Sequence, residues 1–148
     1  MKQHKTRILF LCTGNSCRSQ MAEGWTRHLA GDLVEVKSAG IEAHGKNLLA
    51  ISVMSEVGID ISGQDSTVMS TEILDWADIV VTVCGHADEH CPVLPGNTQK
   101  DHWPLEDPAK ASGTEDEIKR SFYHIRDEIR GRVQHLIRRL SQVNIISS

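Results

Sequence analysis

The sequence predicts a single α/β domain, residues 1–148, with a four-stranded parallel sheet doubly wound by flanking helices. Three observations point there. Two runs, Arg7 to Cys12 and Asp78 to Cys84, are almost wholly apolar over strand length, as strands buried on both faces of a parallel sheet are. Helical periodicity alternates with such runs, the pattern of βαβ units. The length of 148 residues and a hydrophobic fraction of 39% suit one continuous core.

Taken in order, Arg7 to Cys12 is the first strand, and Thr13-Gly14-Asn15-Ser16 is turn chemistry. A helix follows with Met21, Trp25 and Leu29 at i, i+4 and i+8, stopping at Gly31. Leu33 to Ser38 reads as the second strand, ended by Ala39-Gly40. Leu48 to Val57 reads as a second helix with Leu48, Ile51 and Ser55/Val57 facing inward. Ser70 to Trp76 is a short helix, and Asp78 to Cys84 is the third strand. Gly85 to Lys100, with Pro92, Pro95 and Gly96, is loop. An edge strand fits around His102-Trp103. Thr114 then caps a long helix, with Glu117 at the capping-box position and Ile118, Phe122, Ile125, Ile129, Val133, Leu136, Ile137 and Leu140 as its apolar stripe. Gln142 to Ser148 is expected to fray. In such a sheet ligands belong at the carboxyl ends of the strands, where both Cys12 and Cys84 fall.

Composition narrows the function. A net charge of −4 argues mildly against a nucleic-acid partner. No apolar run approaches the roughly 20 residues of a membrane span. The basic start, Met1-Lys2-Gln3-His4-Lys5, is followed by too short an apolar stretch for a secretory leader, so a cytoplasmic location is expected. Thiols in that compartment stay reduced, which makes Cys12, Cys17, Cys84 and Cys91 candidates for catalysis, redox work or metal binding rather than a disulfide framework.

Cys12-Thr13-Gly14-Asn15-Ser16-Cys17-Arg18-Ser19 has the form C-x5-R-S. A Gly-bearing turn feeding a helix N-terminus converges backbone N–H groups on one point, an anion site. Arg18 adds a planar, permanently charged clamp for a tetrahedral oxyanion. The same positive surroundings favour Cys12 as thiolate, the nucleophilic form, and Ser19 is placed to hydrogen-bond its sulfur. Spacing alone is a common accident; the apolar strand before Cys12 and the helix at Arg18 carry the assignment. Asp107-Pro108 is ordinary turn chemistry taken singly. Beside an anion loop it reads as a general acid, because the leaving oxygen needs a proton and proline sets the chain's direction. Glu106 is the nearest competitor.

Cys84 and Cys91 bracket Gly85-His86-Ala87-Asp88-Glu89-His90. Three readings stand: a redox relay with Cys12, a zinc site of Cys84, His86, His90 and Cys91, or two inert cysteines. The adjacency of His90 and Cys91 and the lack of paired short spacings count against zinc. The shared strand-end rim with Cys12 favours the relay.

These segments together resemble the thioredoxin-coupled arsenate reductases, which share the low-molecular-weight tyrosine phosphatase fold. The resemblance runs through Phe10 to Trp25, Ser38 to Gly45, Glu56 to Ser62, Ala77 to Gly85, Cys91-Pro92, His102-Trp103 and Asp107 to Ala109. It implies arsenate as substrate, thioredoxin as partner and Cys12 as nucleophile, with Arg18 and the loop from Thr13 to Ser19 holding the oxyanion and Asp107 as acid. It further implies that Cys84 attacks Cys12, that Cys91 then attacks Cys84, and that thioredoxin reduces the final disulfide. Cys17 takes a supporting place in the loop. A monomer with no tightly bound cofactor is expected. Some members hold potassium through residues matching Asn15, Glu23 and Ser38 and an Asp. Here Thr67 stands at that last position with Asp65 nearby, which puts potassium in question. His44 reads as structural. Two other functions compete: a phosphatase, which needs no second cysteine pair, and an arsenical or metal sensor, which needs neither Arg18 nor Asp107.

Overall fold

The structure, a computed structural model, describes residues 5–84, 89, 91, 94 and 96–147, with side chains described through residue 141. Four strands, β1 (Thr6–Cys12), β2 (Val34–Gly40), β3 (Ile79–Thr82) and β4 (Gln99–His102), form one sheet in the order β2-β1-β3-β4. Every pairing is parallel, with Cys12 opposite Gly40 and Leu11 opposite Thr82. Helices α1 (Arg18–Ala30), α2 (Leu48–Ser55), α3 (Thr71–Trp76) and α4 (Glu115–Ser147) flank it.

The central strands are apolar because both their faces are covered: Ile8, Leu9, Phe10, Leu11, Val80, Val81 and Val83 are fully buried. Burial of each such side chain contributes about 1.5–3 kcal/mol before chain entropy is counted. β4 is instead polar (Gln99, Lys100, Asp101, His102) and half exposed, the composition of an edge strand guarded against pairing with other chains. Trp103, just beyond it, turns inward onto Phe10 with ring centroids 5.4 Å apart. Trp25 of α1 donates to the Arg126 carbonyl of α4 at 3.1 Å, tying the two helices.

The capping box at the start of α4 is formed, with Glu117 N–H donating to Thr114 Oγ1 at 3.2 Å and Thr114 N–H to Glu117 Oε1 at 3.3 Å. Its stripe of Phe122, Ile125, Ile129, Val133 and Leu136 is buried.

Several expectations need correction. α4 continues through Ser147 where fraying was expected, because no Gly or Pro follows Gly131 to stop it. The inward face of α2 is Ala50, Val53 and Met54, while Leu48 is 80% exposed and Val57 36%. Asn47 caps that helix, so Leu48 lies in its first turn, turned away from the core. Leu29 and Leu33 flank the α1–β2 connection at the surface, not in the core. β3 pairs only through Thr82, and β4 begins at Gln99, inside the expected loop.

Candidate active site

The carboxyl ends of β1 and β3 converge as the sequence requires. Cys12 closes β1 and is 3% exposed; Ser19, in the first turn of α1, donates to its sulfur at 3.2 Å. Cys84 lies beyond β3, buried, and its sulfur is 3.2 Å from the Thr13 hydroxyl. Cys84 therefore touches the loop that follows Cys12. Cys91 is half-buried against the core. His86 and His90 lie outside the described residues, and among the described residues no cluster of metal-ligating groups occurs.

The loop's outer surface is where its shape is decided. A strap following β2 runs alongside it: Ile41 N–H donates to the Cys12 carbonyl (3.1 Å), Glu42 N–H to Thr13 (2.8 Å) and His44 N–H to Gly14 (2.8 Å). In a trans peptide the C=O and the next N–H point opposite ways, and no cis bond occurs here. Pulling those three carbonyls to the strap turns the N–H groups of Thr13, Gly14 and Asn15 away from it. No acceptor among the described residues takes the N–H of Thr13, Gly14, Asn15, Ser16 or Cys17. Gly14, Asn15 and Cys17 are buried and Thr13 and Ser16 half-buried; N–H groups in such a place are costly without an acceptor, and an oxyanion would be one.

Asn15 makes the bend. It is the only non-glycine among the described residues with positive φ, 48°, a region Asn enters more readily than most. Its Oδ1 lies 2.8 Å from the Ser19 hydroxyl, whose single proton is shared between that oxygen and Cys12 sulfur, and its Nδ2 faces the carbonyls of Ser38, Asp65 and Thr67 at 3.4–3.5 Å. Gln20 Nε2 holds the Asn15 carbonyl at 3.1 Å.

Arg18 is 7% exposed; its Nη1 donates to the Leu105 carbonyl at 3.0 Å and its Nη2 lies 3.6 Å from Asp107 Oδ2. Its Nε is buried with no partner among the described residues, a donor that an anion in the loop would satisfy. Asp107 caps the 3-10 turn Pro108–Lys110, accepting from Ala109 N–H through Oδ1 at 3.0 Å, so its second oxygen faces Arg18. Proline sets that turn, as the dipeptide implies. Burial pushes the Cys17 thiol up to about 12, only partly offset by the nearby Ser16 hydroxyl. Cys17 is thereby held neutral.

The positions considered for potassium, Asn15, Glu23 and Ser38, do meet in the structure. Ser38 donates to Glu23 Oε1 at 2.5 Å, and Arg27 Nη1 donates to Glu23 Oε2 at 2.7 Å. The two N–H groups of the Asn15 amide face three converging carbonyls, Thr67's among them, and Arg27 is paired with Glu23. Sequence reading missed the strap, the Gln20 contact and Gln64, which links Gln20 to Arg27. Only the Ser38 to Gly45 resemblance hinted at the strap; nothing in composition or periodicity marked the glutamines.

The model of the low molecular weight phosphotyrosine protein phosphatase family matches residues 7–144. The chain belongs to that family. It is 54% identical over 127 residues to an arsenate reductase of Bacillus subtilis, covering 86% of this chain and 91% of that one. A solved arsenate reductase in its phosphate-binding state superposes with a TM-score of 0.75 at 37% identity, covering 90% and 98% of the two chains. A thioredoxin-dependent arsenate reductase of Corynebacterium glutamicum superposes with a TM-score of 0.77 at 28% identity. The match covers 97% of this chain but spans 65% of that protein's length. Among the described residues no helix is long and apolar enough to cross a membrane.

Proposed function

We propose that this protein reduces arsenate to arsenite through three cysteines, with thioredoxin as the final reductant. The observation that carries the reading is the contact between Cys84 sulfur and the Thr13 hydroxyl, 3.2 Å, which sets a second sulfur against the loop of the nucleophile. The kinship with arsenate reductases and the thioredoxin dependence of a solved relative support it.

Cys12 thiolate attacks arsenic, an As–O bond breaks, and Asp107 gives its proton to the departing oxygen, which leaves as water. Arg18 and the loop amides hold the remaining oxygens. Cys84, as thiolate, then attacks Cys12 sulfur. The S–As bond breaks with its electron pair going to arsenic, so arsenic(V) leaves as arsenite while two thiols become the Cys12–Cys84 disulfide. Cys91 attacks Cys84, expelling Cys12 as thiolate, and a thioredoxin dithiol reduces the resulting Cys84–Cys91 disulfide. Ser19, bonded to Cys12 sulfur at 3.2 Å, makes that sulfur the better leaving group.

The test is arsenate-dependent NADPH consumption with thioredoxin and thioredoxin reductase. Cys12→Ser, Cys84→Ser and Cys91→Ser are each expected to stop multiple turnover, while the latter two keep p-nitrophenyl phosphate hydrolysis. Undiminished arsenate turnover by Cys91→Ser refutes the relay. The second reading, a phosphatase, draws on the same Cys12–Arg18–Asp107 set and the family's own description. It predicts efficient phosphomonoester hydrolysis and no arsenate-dependent NADPH consumption.

A further inference from the structure

We infer that Gln20 and Gln64 are positioning residues for the anion loop, an amide ladder that orients the Asn15–Ser16 peptide toward the bound oxyanion. Four carbonyls of the loop, those of Cys12, Thr13, Gly14 and Asn15, are held from outside, and three of the donors are backbone N–H groups of the strap. The fourth is a side chain, Gln20 Nε2, at 3.1 Å from the Asn15 carbonyl. Because the peptide is trans, holding that carbonyl outward turns the Ser16 N–H the opposite way. This is the peptide that follows the left-handed Asn15, where the backbone is least able to keep its own orientation.

Gln20 is itself constrained. Its Nε2 also donates to the Asp65 carbonyl at 2.8 Å, and its Oε1 accepts from Gln64 Nε2 at 2.7 Å. Gln64 Nε2 further donates to the Gln20 backbone carbonyl at 3.0 Å, and its Oε1 accepts from Arg27 Nη1 at 3.2 Å. Every amide is thus oriented by its neighbour, and one donor of each runs in a single direction: from Arg27 through Gln64 and Gln20 to the Asn15 carbonyl. Gln20 is 4% exposed and Gln64 9%, so water does not substitute for a missing rung. A chain of this kind, headed here by the Arg27–Glu23 ion pair, orders its members cooperatively.

The inference rests on the anion-loop reading, and the experiment separates their failures. Inorganic phosphate is titrated against iodoacetamide alkylation of Cys12, followed by peptide mass, in wild type, Gln20→Met, Gln64→Met and the double variant. Gln20→Met is expected to raise the half-protecting phosphate concentration about tenfold, the loss of one oriented charge-assisted donor. Gln64→Met raises it about threefold, and the double variant is no worse than Gln20→Met, because Gln64 acts through Gln20. In turnover the arsenate KM rises while kcat stays within about twofold, the signature of lost uniform binding rather than damaged folding. Unchanged protection in Gln20→Met overturns the inference, and additive effects in the double variant overturn the ladder. Wild type unprotected by phosphate overturns the anion loop and this inference together.

Discussion

Gly14 is the most informative single position in the loop. Its φ is not in the positive region, so the backbone itself accepts alanine, and any effect must come from packing. A Cβ built there lies 2.2 Å from His44 Nδ1 and 2.6 Å from its Cγ, about 1 Å short of the ~3.5 Å of ordinary contact. Either the imidazole or the loop must move. The imidazole is half exposed and, among the described residues, paired only with exposed Glu42 at 2.6 Å, so displacing it costs less than about 1 kcal/mol. Moving the loop instead by about 1 Å costs on the order of 100-fold in rate, because the amides are misaligned with the oxyanion. Gly14→Ala is therefore expected to lower arsenate kcat/KM by about tenfold, between these limits, as measured in the coupled thioredoxin assay. Adding His44→Ala removes the obstacle and should return activity to within about threefold of wild type. Gly40→Ala is the control. Its Cβ would meet the Glu42 carbonyl oxygen at 2.4 Å and Asn15 N and Thr13 O at 2.8 Å, all backbone, so no side-chain deletion relieves it. A double variant no more active than Gly14→Ala alone would refute the claim that His44 packing is what demands glycine at Gly14.

Three further outcomes follow from the site. Arg18→Lys keeps the charge but loses the fork that reaches Leu105 and lies beside Asp107, and should cost about 10²–10³ in kcat/KM; a loss under threefold contradicts the clamp. Cys17, raised from 9.0 to about 12, stays protonated in the folded chain while the unfolded chain ionises, so stability is intact below pH 9 and falls as pH rises toward 12. Urea unfolding should show a Cys17 contribution of about 1.4 kcal/mol lost by pH 10, absent in Cys17→Ala. Exchanging potassium for sodium should leave arsenate KM within about twofold, since Arg27 already balances Glu23; a potassium-dependent fall in KM contradicts that pairing as the site's cation.

Much of the fold was legible because its determinants are local. β1 and β3 announce themselves as apolar runs, since a strand covered on both faces cannot afford polar residues. The long helix is marked at its start by Thr114 and Glu117, whose reciprocal bonds need only three residues of spacing. Errors gathered where burial depends on a neighbour's position. Leu48 looks like core but lies 80% exposed, because the register of α2 was decided by its Asn47 cap and by what packs on Val53 and Met54.

The site divides the same way. Cys12, the Gly-bearing turn, Arg18 and Ser19 are contiguous, so the sequence by itself determined the setting of the proposed nucleophile, the proposed clamp beside it and the contact of Ser19 with Cys12 sulfur. Asp107 was readable as an acid only by chemistry; that its free oxygen lies beside Arg18 is a fact of how the Pro108 turn lands after β4. The tertiary structure alone decided that the strap pulls three loop carbonyls outward, that Gln20 and Gln64 carry a fourth, and that Arg27 takes the place beside Glu23. Such contacts join residues far apart in the chain through backbone carbonyls and side-chain amides. Neither leaves a periodic mark in the sequence, because each depends on where the folded backbone brings a donor within reach of an acceptor.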